Sequence, residues 1–93
     1  MEQLEDEYPG DSDWNVFVRL YEEDYLDDNA RTLAKVMDGY LDMAVVLNGK
    51  RGLEEGLWWI KQKVPALGNK RPADCLKNPK LIKRLRMALM SMP

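Results

Sequence analysis

The sequence contains no histidine, the residue that enzymes most often use as a general base and that proteins most often use as a metal ligand. Cysteine occurs once, as Cys75, so the chain has no internal disulfide and no set of thiolates for a structural zinc site. Because a nucleophilic cysteine needs a base beside it, we expect Cys75 to be a small buried residue. These absences predict a protein without catalysis of its own and without a metal or cofactor.

Long apolar runs are also missing. A helix that spans a bilayer needs about 20 predominantly apolar residues, and the sequence has no such stretch. Its first residues, MEQLEDEYPG, are acidic where a secretory signal is basic and then apolar. No glycine-rich phosphate-binding loop occurs. The sequence therefore predicts a cytoplasmic protein without membrane contact, and its 93 residues predict a single domain.

The charges are divided unevenly along the chain although the net charge is only −2. Residues 1–48 carry 13 acidic and three basic side chains, whereas residues 49–93 carry 11 basic and three acidic ones. Two explanations remain open at this stage. The two halves fold against each other with opposite charges at the seam, or each half presents its charge to a different partner.

Apolar residues recur at steps of three and four along most of the chain, and no segment alternates with period two. This pattern predicts an all-α fold, a compact bundle of four to five helices over residues 13–93. An acidic, flexible lead-in is expected over residues 1–12. We expect the helices to span residues 14–26, 30–47, 53–63, 73–77 and 80–90.

Capping and turn residues separate these helices. Asn48 and Gly49 are expected to end the second helix, and Gly68 and Asn69 to adopt positive φ in a turn. The residues expected at the helix starts are Ser12 or Asp13 for the first helix, Asp28 or Asn29 for the second, Pro72 for the short fourth helix, and Asn78 followed by Pro79 for the last.

Residues 57–93 carry a distinctive series of motifs. Two adjacent tryptophans precede the turn Val-Pro-Ala-Leu-Gly at residues 64–68, and Lys-Arg-Pro at residues 70–72 leads into the short helix Ala-Asp-Cys-Leu. The closing helix contains Leu-Ile-Lys-Arg-Leu at residues 81–85. This series resembles the toxin-binding domain of the Xre/MbcA/ParS antitoxins, and with the preceding helix the resemblance covers residues 33–93.

The resemblance implies a role in a bacterial toxin–antitoxin system. Members of this family bind RES-type toxins, which consume or transfer from NAD, and the C-terminal part of the antitoxin covers the active-site cleft of the toxin. The implied partner is therefore a RES-type protein toxin, and any use of NAD belongs to that toxin. No helix-turn-helix module precedes the domain, and its first two helices are acidic, so DNA is not expected as a partner.

The expected partner-binding surface combines an aromatic anchor, basic residues and a methionine-rich C-terminus. Of the two neighbouring tryptophans only one can face the core, because adjacent helical positions differ by about 100°. We assign the other role, contact with the partner, to Trp59. Methionine supplies adaptable apolar contact surface, and basic side chains steer association with an acidic partner. The full predicted set is Trp59, Lys70, Arg71, Lys83, Arg84, Met87, Met90, Met92 and Pro93.

Two other functions are compatible with the sequence. The first is a small nucleic-acid-binding protein, whose affinity would fall steeply with salt. Its phosphate contacts would come from Lys50, Arg51, Lys61, Lys63, Lys70, Arg71, Lys83 and Arg84. The second is a homo-oligomeric adaptor, in which the acidic half of one copy meets the basic half of another.

Overall fold

A computed structural model describes residues 4–93, and within this range the chain forms four α-helices and no strand beyond an isolated bridge between Val64 and Lys70. The prediction of an all-α, single-domain bundle is confirmed. The α-helices are α1 (Asp11–Tyr25), α2 (Asp28–Lys35), α3 (Leu41–Trp59) and α4 (Pro79–Ser91). Three 3₁₀ turns span Leu4–Glu7, Pro65–Leu67 and Pro72–Cys75.

The core lies between α3 and the helices on either side of it. Both α1 and α2 pack against α3, while α4 packs against the first 3₁₀ turn and the two later ones. The four helices and the second and third 3₁₀ turns all contribute large, fully buried side chains, which include Trp14, Leu33, Met43, Leu47, Leu67, Pro72, Leu85 and Leu89. No helix within residues 4–93 is long and apolar enough to cross a membrane.

The acidic N-terminal segment is more structured than the sequence predicts. Leu4–Glu7 forms a 3₁₀ turn that packs on α4, and α1 already begins at Asp11 after a Gly10 with φ of 111°. Neither Ser12 nor Asp13 caps this helix. The prediction of a flexible lead-in over residues 1–12 is therefore wrong for residues 4–12. Residues 1–3 lie outside the described part of the chain.

The long second helix predicted over residues 30–47 is two helices. Asp38 and Gly39 both have positive φ, at 53° and 83°, and the Gly39 N–H donates to the Ala34 carbonyl oxygen at 2.8 Å. Two consecutive residues with positive φ stop an α-helix. The apolar periodicity of the sequence continues across this turn, and for that reason it predicted one helix where there are two. Helix α2 is capped by Asp27, whose carboxylate accepts a hydrogen bond from the Ala30 N–H, and not by Asp28 or Asn29.

The predicted helix end at residues 48–49 is wrong, because both residues lie inside α3. The Asn48 amide is buried and donates to the Tyr25 carbonyl oxygen and to the Asp27 carboxylate, each at 3.0 Å. The chain bends three residues later, at Gly52, where φ is 79°. The segment after this bend starts as predicted and ends at Trp59, four residues earlier than predicted.

Gly49 is a packing residue in this arrangement. A Cβ atom added to it would collide with the Tyr21 ring and approach the Tyr25 ring to 2.8 Å. We expect Gly49→Ala to lower the free energy of unfolding by about 1–3 kcal/mol, although alanine is the better helix former by up to about 1 kcal/mol. Urea denaturation of the variant tests this. In a Tyr21→Ala background the loss should shrink, and stabilisation of the single variant would contradict the close packing.

Within residues 4–93, arginine–carboxylate contacts join the acidic and basic halves. Arg84 pairs with Glu5, while Arg86 pairs with both Asp11 and Asp42. The explanation of the charge division by an internal seam therefore holds for these residues. The remaining exposed acidic and basic side chains leave the two halves with opposite surface charge.

Candidate functional site

An apolar pocket of about 240 Å³ lies where the end of α3, the turn after it, the end of α4 and the first 3₁₀ turn meet. We call it the C-terminal pocket. Except for one wall from the N-terminus, its lining comes from residues 59–92. Its lining residues are Leu4, Trp59, Val64, Ala66, Ala88, Ser91 and Met92.

The turn that forms one wall follows directly from its sequence. Pro65 begins a 3₁₀ turn, and Gly68 and Asn69 adopt φ values of 70° and 59°, as predicted. The Val64 N–H donates to the Lys70 carbonyl oxygen at 3.0 Å and closes the turn. Buried Leu67 anchors the turn in the core, so the neighbouring side chains are held at the pocket.

The two adjacent tryptophans face different environments, as the helical geometry requires. Trp59 is half-buried against the core and forms part of the pocket wall, whereas Trp58 is 60% exposed. The prediction that only one of them faces the core is confirmed, but the assignment of the outward position to Trp59 is wrong, because Trp58 occupies it. Trp59 is accessible only through the pocket that it lines.

The prediction that Arg84 is one of the basic residues of the partner-binding surface is wrong. It is buried, and its Nε and Nη2 donate to the two carboxylate oxygens of Glu5 at 2.8 and 2.9 Å, while Nη1 donates to the Leu67 carbonyl oxygen at 3.2 Å. The sequence pattern placed it on a charged face because the acidic lead-in was not expected to return to α4. Its place is therefore internal, where it joins the first 3₁₀ turn to the second.

Because of this ion pair, the stability of the fold should depend on pH in the acidic range. The paired hydrogen bonds lower the pKa of Glu5 below its usual value of 4.5 and raise the pKa of Arg84. A lowered carboxyl pKa stabilises the fold above the unfolded pKa, and this contribution is lost as the pH falls through the folded pKa. We expect Glu5→Gln to be less stable than wild type at pH 7, with the difference disappearing in thermal melts well below pH 4.5.

The other predicted basic residues are exposed but occupy different places. Lys70 lies across the turn from Val64, next to the pocket. Arg71 donates from Nε to the Lys61 carbonyl oxygen at 3.1 Å and lies 3.8 Å from the Asp74 carboxylate. Lys83 lines a separate polar cleft with Glu5 and other residues near the N-terminus. Of this group, Lys70 is the residue whose backbone contacts a lining residue of the pocket, Val64.

The methionine-rich C-terminus is partly internal. Met92 is buried and lines the pocket, Met87 and Met90 are half-buried, and Pro93 is exposed. Lys50 fixes this end of α4, because its ammonium group donates to the carbonyl oxygens of Met90 and Met92. A cation at a helix C-terminus is favourable. Burial lowers the pKa of this lysine.

A network around Arg86 holds α1, α3 and α4 together. Its guanidinium lies 3.0 Å from Asp11 and 3.4 Å from Asp42, and it stacks over Trp14 at 5.5 Å. The Trp14 indole N–H in turn donates to Asp42 at 2.9 Å. Burial and a hydrogen bond to Asp11 raise the pKa of Tyr8 to about 12. Sequence analysis missed this network, because its members are far apart in the chain.

The lining of the C-terminal pocket is largely apolar. None of its lining side chains is titratable at neutral pH, and Cys75, whose pKa is raised by burial, has its thiol against the Arg71 carbonyl oxygen. Among the described residues, histidine, cysteine and carboxylate side chains form no group of three that could hold a metal ion.

Sequence reasoning identified two of the lining residues, Trp59 and Met92. The wall provided by Leu4 was missed, although a single leucine within an acidic segment is a signal of a local anchor. Ala66 and Val64 were known only as parts of a turn. No protein-family model, curated protein or solved structure matches this chain.

Proposed function

We propose that this chain is an antitoxin-like binding protein that occludes the active-site cleft of a RES-type NAD-consuming toxin, without catalysis of its own. The proposal joins two supports. One is the resemblance of residues 33–93 to the toxin-binding domain of the Xre/MbcA/ParS antitoxins, and the other is the C-terminal pocket that this segment forms together with Leu4.

The observation that carries the proposal is the composition of the C-terminal pocket. Its lining includes Leu4, Trp59, Val64 and Met92, and exposed Lys70 is joined through its backbone to Val64. An apolar depression with a nearby cation fits a protein segment that inserts an apolar side chain and carries acidic neighbours. Aromatic residues in such depressions often contribute most of the binding energy.

The remaining residues of the predicted partner-binding set have different roles in this proposal. Pro93 and the half-buried Met87 and Met90 extend the apolar contact around the end of α4, while Arg71 and Lys83 steer the approach of an acidic toxin surface. Arg84 stabilises the second 3₁₀ turn, Pro65–Leu67, by donating a hydrogen bond to the Leu67 carbonyl oxygen.

The test is affinity capture from extracts of the native host with three tagged proteins: wild type, Ala66→Glu and Val16→Glu. Ala66 is exposed at the pocket, so glutamate there places a charge where an apolar group is expected to bind. Val16 is 54% exposed on α1 and does not line the pocket, which makes the second variant a matched control.

We expect wild type and Val16→Glu to capture a RES-domain protein in near-stoichiometric amount, and Ala66→Glu to lose it by at least about ten-fold. Circular dichroism spectra of the three proteins should coincide. Recovery of nucleic acid without a RES-domain protein, or equal capture by Ala66→Glu, would contradict the proposal.

A further inference from the structure

The C-terminal end of α4 is held by a side chain from another helix. The last carbonyl groups of an α-helix have no partner within the helix, and the last turn of α4 contains no basic residue. Met92 follows α4 in an extended conformation, so no left-handed residue caps the helix there. Instead, the Lys50 ammonium group on α3 donates to the carbonyl oxygens of Met90 and Met92. Lys50 therefore takes the place of a C-terminal cap for α4.

The positive charge of Lys50 is also in contact with an aromatic ring. Its Nζ lies 5.4 Å from the centroid of the Phe17 ring on α1, which is within the range of an attractive cation–π contact. The lysine is half-buried, and no carboxylate within residues 4–93 forms an ion pair with it. The contacts with the carbonyl oxygens and the ring depend on the ammonium group, because an aliphatic side chain neither donates a hydrogen bond nor carries a charge.

The held end of α4 forms one wall of the C-terminal pocket. Ala88, Ser91 and Met92 line this pocket, whereas Lys50 does not. Met92 is only 8% exposed although it lies beyond the last helical residue. Because the hydrogen bonds of a helix do not fix the residue beyond its end, the place of Met92 in the wall depends on contacts from outside α4. Lys50 supplies such a contact to the Met92 backbone.

We propose that Lys50 is a positioning residue for partner binding. Its charge keeps Met92 and the last turn of α4 in place as a wall of the C-terminal pocket, and it thereby sets the affinity of the pocket for the partner. The inference rests on the proposed function for the identity of that partner. It adds to the proposed function a residue that acts through the pocket wall without lining the pocket.

The first experiment observes Met92 in the full chain without a partner. Methyl NMR spectra of protein labelled at the methionine methyl groups are compared for wild type, Lys50→Leu and Lys50→Arg, and the Met92 signal is identified by its absence from Met92→Leu. We expect this signal to move towards the chemical shift of an exposed methionine in Lys50→Leu. It should keep its position in Lys50→Arg, which retains the charge and hydrogen-bond donors. An unmoved signal in Lys50→Leu, or an equal displacement in Lys50→Arg, would overturn the inference.

Controls separate this local role from a general loss of structure. Met37 and Met43 are 1% and 0% exposed in the core, and their signals should stay in place in Lys50→Leu. Their loss would show that Lys50 supports the whole core, and it would overturn the assignment of Lys50 to the pocket wall. Lys35→Leu is the matched control, because Lys35 is exposed on α2 and does not line the pocket. An equal displacement of the Met92 signal by Lys35→Leu would contradict the specific role of Lys50.

The second experiment is a calorimetric titration with the RES-domain protein that wild type captures. Lys50→Leu should bind it at least about ten-fold more weakly than wild type does, whereas Lys50→Arg and Lys35→Leu should retain the wild-type affinity. Displacement of Met92 without a loss of affinity would overturn the role of Lys50 in binding. If no RES-domain protein is captured, the proposed function fails, while the methyl spectra still decide whether Lys50 positions the wall.

Discussion

Replacing Glu5 by alanine should lower the free energy of unfolding by about 3–5 kcal/mol, a large fraction of the total stability of a domain of this size. The substitution removes the carboxylate that accepts two hydrogen bonds from the buried Arg84 guanidinium. Breaking one side of a buried pair costs more than the pair itself contributes, because the remaining charge stays buried. Urea denaturation followed by circular dichroism measures the loss.

The control for this prediction removes both charges. Glu5→Leu combined with Arg84→Met replaces the pair by apolar side chains, and it should recover most of the stability lost in Glu5→Ala. Glu7→Ala is a neighbouring surface change in the same 3₁₀ turn, with a side chain that is exposed, and we expect it to cost less. Equal losses in Glu7→Ala and Glu5→Ala would contradict the role assigned to the pair.

Trp14→Ala should destabilise the protein by about 3–5 kcal/mol. Trp14 is 1% exposed at the centre of the core, and its indole N–H donates to Asp42. The substitution therefore leaves a large cavity, removes a hydrogen bond from a half-buried carboxylate, and takes away the ring on which Arg86 stacks. The loss should appear as a lower denaturation midpoint in urea.

The same substitution at Trp58 is the matched control. Because Trp58 is 60% exposed, Trp58→Ala should change the free energy of unfolding of the monomer by less than about 0.5 kcal/mol. The pair of variants compares one chemical change in two environments. A large loss at Trp58 together with a small one at Trp14 would contradict the assignment of core and surface.

The sequence was sufficient to predict the parts of the fold that depend on local rules. Apolar periodicity identified the helices, and Asn78 with Pro79 marked the start of α4 as the structure has it. Gly68 and Asn69 were assigned positive φ because few other residues tolerate it. These features depend on neighbours within a few residues, which is why they can be read from the chain directly.

The errors came from residues whose roles depend on distant partners. Asn48 and Gly49 have the composition of a helix end, yet tertiary contacts with Tyr25 and Tyr21 keep them inside α3. The turn at Asp38 and Gly39 was hidden because the apolar periodicity continues through it. Local preference is weak enough to be overridden by packing at such positions.

The candidate site was predictable only in part for the same reason. Trp59 is the last residue of α3 and Met92 follows the end of α4, and both were assigned to the partner surface from the sequence. The pocket between them exists because Leu4 returns from the other end of the chain. The pairing of Glu5 with Arg84 spans 79 positions. No periodicity or spacing rule connects residues so far apart, so Arg84 was assigned to the surface.

The most direct test of the proposed function is a titration of this chain against the RES-domain protein that it captures, with NAD consumption as the readout. The account predicts that NAD consumption falls to zero at a fixed stoichiometric ratio of wild type or Val16→Glu, and that Ala66→Glu leaves it unchanged at the same concentrations. Undiminished NAD consumption in the presence of excess wild type would contradict it.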